Sequence, residues 1–349
     1  MSEEFEEGPV RVGLNGFGRI GRNVFRAVVD RPGIELVGIN DIMDPDEMRY
    51  LAKYDTVMGR LDGLELHDDH LVYRDVRVPL YSESDPANLP WDDLDVDVAI
   101  EATGVFRTYE EATKHLDAGA RTVLLSAPAK GETPVKTIVY GVNHDEYDGE
   151  DVLSNGSCTT NSIAPIAKVL NERFGIRSGL LTTVHAYTSS QELIDGPASD
   201  PRRGRAAAEN VIPTSTGAAV ATAQVLPELE GKLNGMAMRV PVPNGSISDF
   251  TIDLEGEPDA DTVNDALRDA ASGELQGVLG YTDDEVVSRD ILGVPFSSYV
   301  DLNSTMAIDG GLTKVLAWYD NEFGFAHRML DVARYVMTET ERIETEARP

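Results

Sequence analysis

The sequence has a single cysteine, Cys158, among 349 residues. That excludes an intramolecular disulfide framework and any cysteine-cluster metal site. Positive charge is also scarce. Lys and Arg number 30 against 61 Asp and Glu, a formal net charge of −31. A field this negative repels nucleic acid and anionic membranes, so neither is an expected partner. Lysine is reduced to Lys53, Lys114, Lys130, Lys136, Lys168, Lys232 and Lys314, so most cations are arginine. No apolar run approaches the ~18 residues of a membrane span. The acidic stretch 1–9 lacks the apolar core of a signal peptide. No His, Asp or Glu grouping has metal-ligand spacing, and no metal is expected. The chain reads as soluble and cytoplasmic.

What is present is a globular chain with 41% hydrophobic residues. Its length suggests two domains. The acids are not blocked at one end but recur between apolar periodic segments, as in Asp92-Asp93-Leu94-Asp95-Val96-Asp97-Val98. The excess therefore belongs to the surface of a folded protein. An acidic, lysine-poor surface points to a salt-rich cytoplasm, where ions screen self-repulsion.

The first half begins with a brief apolar strand at 10–14. A glycine-rich turn and a helix over 19–30 follow, with Ile20, Val24, Ala27 and Val28 on one face, then a second strand at 34–39. Strand, helix and strand within about 30 residues make the βαβ unit of a parallel sheet. Further strands are expected at 96–102 and 122–126. A helix over 109–118 should lie between them, with Thr108 as N-cap and Gly119 after its end. The stretch 62–84 reads as a hairpin and loops at the domain edge.

The second half reads differently. A helix is expected over 159–174, ended by Gly175, then strands at 179–187, 236–242, 246–254 and 313–319. Strands with few helices between them favour an antiparallel sheet. The Gly-, Pro-, Ser- and Asp-rich stretch 188–209 is long for a loop, and such loops are usually functional. A last helix is expected over 325–340.

Three constellations carry chemistry. Gly16-Phe17-Gly18-Arg19-Ile20-Gly21 is a G-x-G-x-x-G between a strand and a helix. Gly16 permits the tight turn, Gly18 admits a pyrophosphate to the backbone, and Gly21 allows close helix packing. The helix N-terminus offers free N–H donors to phosphates. Asp41 ends the next strand, where a carboxylate accepts from the adenosine ribose and disfavours a 2′-phosphate, so NAD is expected over NADP. Cys158, in Ser154-Asn155-Gly156-Ser157-Cys158-Thr159-Thr160-Asn161, opens a helix whose N–H groups and dipole favour thiolate. A small buried core residue is the competing reading. His185 lies on a strand and is a candidate base or a satisfied core histidine. Arg202-Arg203-Gly204-Arg205 is either an anion site or a basic tract paired with surface acids. Thr214-Ser215-Thr216-Gly217 caps a helix, binds an anion, or does both.

These stretches, with 182–188, 202–209, 231–243 and 318–324, resemble the phosphorylating glyceraldehyde-3-phosphate dehydrogenases of bacterial and eukaryotic type over nearly the whole chain. Gly231-Lys232-Leu233-Asn234-Gly235-Met236-Ala237-Met238-Arg239-Val240-Pro241 is the most distinctive. The resemblance implies an α/β fold: a Rossmann doubly wound parallel sheet over 9–157 and 322–349, and a mostly antiparallel α+β catalytic domain over 158–321. It implies Cys158 as nucleophile and His185 as its base. It implies Thr188, Arg203 and Arg239 for the substrate C3 phosphate. Ser157, Thr216, Gly217 and Arg239 would take attacking inorganic phosphate, with Thr159 also counted among the substrate- and phosphate-binding residues. The cofactor residues would be Gly16, Phe17, Gly18, Arg19, Ile20, Gly21, Asp41, Thr103, Ser126 and Asn321, the last near the nicotinamide. It implies NAD as cofactor, glyceraldehyde 3-phosphate and inorganic phosphate as substrates, and a homotetramer with residues 187–209 at subunit contacts. The same chemistry on erythrose 4-phosphate, or a non-catalytic NAD-binding protein, are the alternatives. Gly156 stands where Ala is common, Phe325 where Tyr is usual, and Gly196 precedes Pro197 where Leu is usual.

Overall fold

The computed structural model describes residues 8–346. Most of the acidic N-terminal stretch read against a signal peptide lies outside them. The described residues divide into two compact units, one of residues 8–138, 144–156 and 326–346, the other of 139–143 and 157–325.

The first unit opens with β1 (Val10–Asn15), α1 (Arg19–Val28) and β2 (Ile34–Asn40), the expected βαβ. Then come α2 (Pro45–Lys53) and the small ribbon β3 (Tyr54–Asp55) and β4 (Gly59–Arg60). The stretch read as a hairpin forms β5 (Glu65–His67), β6 (His70–Tyr73) and β7 (Val76–Tyr81). Next are β8 (Val98–Glu101), α3 (Tyr109–Ala112), α4 (Lys114–Asp117), β9 (Thr122–Leu125), β10 (Lys136–Thr137) and β11 (Val152–Ser154). Thr108 is the expected N-cap, inside a capping box with Glu111, but the helix read as continuous breaks at Thr113 into α3 and α4. The nine-stranded sheet runs β10-β11-β9-β8-β1-β2-β7-β6-β5. It is parallel except for the β5-β6-β7 meander at one edge. Strand order reverses between β1, β2 and β8, so the carboxyl ends of these strands form the crevice where such sheets bind ligands.

The second unit begins with α5 (Cys158–Phe174) and β12 (Ile176–Ala186). After the long loop come β13 (Ile212–Ser215), α6 (Ala218–Val225), β14 (Leu233–Val240) and β15 (Ser246–Leu254). Then follow α7 (Ala260–Ser272), β16 (Leu279–Thr282), β17 (Ser298–Ala307) and β18 (Leu312–Tyr319). The sheet order is β13-β14-β12-β15-β18-β17-β16. Pairing is antiparallel except β12 with β14 and β16 with β17. The expectation of a mostly antiparallel sheet holds. The parallel β12–β14 pair requires a crossover, and the loop, β13 and α6 supply it. One face of the sheet is covered by α5 and α7 through Ile163, Ile166, Leu170, Val263 and Leu267, all buried.

The final helix α8 (Phe323–Glu346) belongs to the first unit from residue 326 onward. Met329, Leu330, Val332, Ala333, Val336 and Met337 are buried at helical spacing. Among the described residues, no helix is long and apolar enough to cross a membrane.

Candidate active site and dinucleotide site

Cys158 is the first residue of α5, and Ser157 is its N-cap, with the Ser157 hydroxyl accepting from the Thr160 N–H at 3.0 Å. The capping serine fixes the turn that presents the thiol at the helix N-terminus. Near the far end of the adjacent strand β12, His185 Nε2 lies 3.4 Å from Cys158 Sγ. A thiol and an imidazole 27 residues apart in sequence are thus brought into contact.

His185 Nδ1 lies 2.7 Å from the Ala186 carbonyl oxygen. The tautomer a base requires has its proton on Nδ1, toward that carbonyl, and leaves Nε2 as an acceptor facing the sulfur. Arg239 Nη1 donates to the same carbonyl at 2.9 Å and stands 2.6 Å from Nδ1. Burial, then the Arg239 charge, push the His185 pKa down to about 3, so the imidazole is neutral near pH 7. The thiol differs from the sequence expectation. Burial pushes its pKa up, opposed by Arg239, by Thr159 and by the backbone at the helix start. In the ligand-free site the pair is therefore thiol and neutral imidazole.

Tyr319 completes the pocket, and sequence reasoning did not single it out. Its hydroxyl lies 3.0 Å from Thr159 Oγ1 and 2.7 Å from Thr183 Oγ1, joining α5 to β12. Its ring meets His185 edge-on, 5.9 Å between centroids. Burial keeps the phenol protonated well above its ordinary range. The signal was available as a tyrosine closing an alternating strand, but nothing local said that it faced a thiol. Asn321 is buried, and its Oδ1 accepts from the Ser246 hydroxyl at 2.7 Å. That hydroxyl accepts from the Ala186 N–H at 3.1 Å, directly behind His185.

Of the residues expected to bind anions, Arg239 lies against this pair. Arg239 is opposite His185 in the β12–β14 register and opposite Ile212 in the β13–β14 register. Arg203 Nε donates to Thr214 Oγ1 at 2.9 Å; burial lowers the Arg239 pKa, and the Arg203 charge adds to that lowering. Both arginines meet acids of the same loop, Arg205 pairing with Asp195 at 2.8 Å and Arg203 with Asp200 at 3.8 Å, and Arg203 also reaches the strand that leads to Thr216. Thr216 Oγ1 accepts from the Ala218 N–H at 3.2 Å, and Gly217 is the N-cap of α6. Thr188 Oγ1 lies 2.8 Å from Ser190 Oγ at the start of the long loop.

In the first unit, the glycine loop has the shape a dinucleotide needs. Gly16 has φ +98°, and a Cβ there would lie 2.6 Å from the Thr103 nitrogen. A Cβ on Gly21 would lie 2.0 Å from the Gly16 carbonyl oxygen, and one on Gly18 would meet nothing within 4 Å. Among the described residues no side chain caps α1, and its first turn carries no acid. A helix start without such a cap or acid favours an anion there. Asp41 accepts from the Phe17 N–H at 2.6 Å and the Met43 N–H at 3.0 Å, tying the acid to the loop. Phe17 is buried edge-on against Phe25, and Ile20 is half-buried on α1. Arg19 turns to an ion pair with Asp55. Thr103 follows β8, and Ser126 follows β9 with its N–H on the Glu101 carbonyl at 2.9 Å.

A dinucleotide cradle and a cysteine–histidine pair beside two arginines define a class: a nicotinamide-dependent oxidoreductase that works through a thiol. Residues 10–109 match the glyceraldehyde 3-phosphate dehydrogenase NAD binding domain, and residues 157–321 match the C-terminal domain of the same family. The glyceraldehyde-3-phosphate dehydrogenase of Haloarcula vallismortis is 65% identical over 330 residues, 94% of this chain and 98% of its own. That of Geobacillus stearothermophilus is 54% identical over the same shares. Glyceraldehyde-3-phosphate dehydrogenase A of Escherichia coli (strain K12) is 50% identical over 329 residues, 94% of this chain and 99% of its own. The chain belongs to the glyceraldehyde-3-phosphate dehydrogenase family, and its cofactor is NAD.

Proposed function

We propose that the protein catalyses the reversible, NAD-dependent oxidative phosphorylation of D-glyceraldehyde 3-phosphate to 1,3-bisphosphoglycerate. The observation that carries this reading is the 3.4 Å contact between Cys158 Sγ and His185 Nε2 with Arg239 beside it. Neutral His185 takes the thiol proton as sulfur attacks the aldehyde carbon, giving a thiohemiacetal on Cys158. The Cys158 backbone N–H at the helix start and the now protonated His185 stabilise the oxyanion. NAD, held by the glycine loop and Asp41, supplies the hydride acceptor when bound. Cys158 then holds the acyl group as a thioester, which inorganic phosphate cleaves. Arg239, with Thr188 and Arg203, would take the substrate phosphate. Arg239, Ser157, Thr159, Thr216 and Gly217 would take the attacking one. Arginine suits both because its fork meets phosphate oxygens in pairs.

The first unit is the NAD-binding domain in this reading and the second the catalytic domain. A homotetramer fits the exposed apolar side chains of the second unit, among them Leu193 at 80% and Ile194 at 76% exposure in the long loop. A cytoplasmic site fits a nucleophile that must stay a reduced thiol. The test is NAD reduction by the purified protein with glyceraldehyde 3-phosphate, with and without phosphate, beside Cys158→Ser. Turnover that needs phosphate and is lost in the variant is expected. Full turnover without phosphate, or an active variant, would overturn the assignment.

A further inference from the structure

Behind the dinucleotide loop lies a buried polar chain that the reaction leaves unused. Trp91, His115, Glu101, Asn15 and Asn40 are each at most 3% exposed. The indole nitrogen is a donor only, so Trp91 Nε1, 3.0 Å from His115 Nδ1, makes that nitrogen an acceptor. The imidazole proton is then on Nε2, which donates to Glu101 Oε2 at 3.3 Å. From the other side Asn15 Nδ2 donates to the same oxygen at 2.6 Å. Its amide orientation is thereby set, and Asn15 Oδ1 accepts from Asn40 Nδ2 at 2.7 Å. Asn40 Oδ1 in turn accepts from the Glu83 N–H at 2.8 Å. Thr103 closes the system, its N–H donating to Glu101 Oε1 at 2.7 Å and its hydroxyl to the same oxygen.

Trp91, His115, Asn15 and Thr103 all donate in the direction of one carboxylate, as does Asn40 through Asn15, while the Asn40 amide also donates to the Glu83 carbonyl at 2.9 Å. The chain also follows the sheet. Glu101 ends β8, Asn15 ends β1, Asn40 ends β2 and Glu83 lies just past β7, four neighbours in strand order. Asn15 immediately precedes Gly16, Asn40 precedes Asp41, and Glu101 lies two residues before Thr103. A carboxylate is the one side chain that offers only acceptors to donors arriving from both sides. We propose that Glu101 is a positioning residue for the cofactor: its buried carboxylate orients a hydrogen-bond ladder that holds the strand ends in the register at which the glycine loop, Asp41 and Thr103 meet NAD. The inference rests on the NAD reading above.

A glutamine at this position presents an NH2 group to donors on one side. The Asn15 amide would then have to turn, setting its own NH2 against that of Asn40, so the ladder loses its direction. In Glu101→Gln the NAD dissociation constant, measured by calorimetry on folded, cofactor-free protein, should rise about tenfold or more. The KM for NAD should rise in step, with kcat at saturating NAD within about twofold of the parent. Alkylation of Cys158 in the absence of NAD should be unchanged, because that thiol lies in the other unit. A purely structural role would lower the melting temperature and leave NAD affinity alone, which would overturn the proposal. Asn40→Ser, which removes the link between β1 and β2, gives an independent decision if Glu101→Gln does not fold. A raised dissociation constant supports the ladder, and an unchanged one overturns it. If the parent protein itself binds no NAD, the NAD reading fails and the inference with it.

Discussion

His185 and Arg239 stand opposite each other in the parallel pairing of β12 and β14, and both nitrogens nearest the Ala186 carbonyl belong to this pair. The register thus sets a permanent cation behind the general base. Its charge disfavours imidazolium in the resting site and favours thiolate at Cys158. When a substrate anion meets Arg239, part of that charge is neutralised. His185 can then accept a proton more readily, so anion binding and base strength are coupled through one side chain.

Arg239→Gln therefore removes both an anion partner and the charge that opposes the raised thiol pKa. We expect kcat/KM for glyceraldehyde 3-phosphate to fall by about a hundredfold or more, the scale of losing a charge-assisted contact at a reacting centre. Alkylation of Cys158 by a neutral reagent at pH 7 should slow as well. Arg239→Lys should recover the alkylation rate better than kcat/KM, since it restores charge without the fork. Steady-state kinetics beside iodoacetamide rates separate the two roles. Equal loss of both in the lysine variant would count against this division.

The pH dependence of the free thiol follows from the same geometry. His185 titrates at about 3, so it is neutral across the working range. Burial holds the thiol above its ordinary value. In cofactor-free protein the alkylation rate of Cys158 should climb steadily on the alkaline side. It should show no plateau below the ordinary thiol pKa of about 8.5. A plateau already reached near pH 6 would mean that a stable thiolate–imidazolium pair exists without ligand.

Much of this was legible in the chain because the signals are local. The glycine loop, Thr108 and Gly175 each declare a turn or cap by residue type, and β15 was placed residue for residue by its alternation. Failures came where pattern and position disagree. β17 reads Ser-Tyr-Val-Asp-Leu-Asn-Ser-Thr-Met-Ala, and a register irregularity between Asp301 and Met306 breaks its alternation. α7 is acid-rich and was hidden by the general acidity of the chain, although Asp259 caps it by accepting from the Thr262 N–H at 2.8 Å. The Glu101 ladder was invisible for another reason. Glu101 and Asn15 are 86 residues apart, and a lone polar residue ending an apolar strand looks like one that meets water. The place of Cys158 at a helix start was legible, but its protonation was not, because burial is a property of the whole unit.

Acid stability provides a test in the first unit. His327 is held down to about 4 by burial and by the Arg31 and Arg328 charges, against an ordinary value of 6.5. Below pH 6.5 the unfolded chain binds a proton that the folded chain refuses until about pH 4. Stability from a neutral His327 is therefore complete above pH 6.5 and is lost as pH falls toward 4. The melting temperature should drop over that window, and the drop should shrink in His327→Gln, which keeps an acceptor for Arg31 but does not titrate. A drop of the same size in the variant would assign the acid limb to other groups, with His185 the next to examine.

The charge of −31 makes the last prediction. The ion pairs on the surface, such as Arg11 with Glu35 and Arg268 with Asp283, are largely solvated and contribute about 0–1 kcal/mol each. With twice as many acids as bases, the carboxylates cannot each have a cation of their own, and their mutual repulsion acts against both the fold and any subunit contact. Screening shortens the range of that repulsion from about 30 Å at 0.01 M salt to about 3 Å at 1 M. Activity and the proposed tetramer should therefore strengthen from dilute buffer to molar KCl. NAD reduction and light scattering across a KCl series measure both. Because the effect is screening, NaCl should serve nearly as well as KCl, whereas an equal osmolarity of sucrose should not. An intact, fully active tetramer in dilute buffer would show that the acidic surface is tolerated rather than matched to salt.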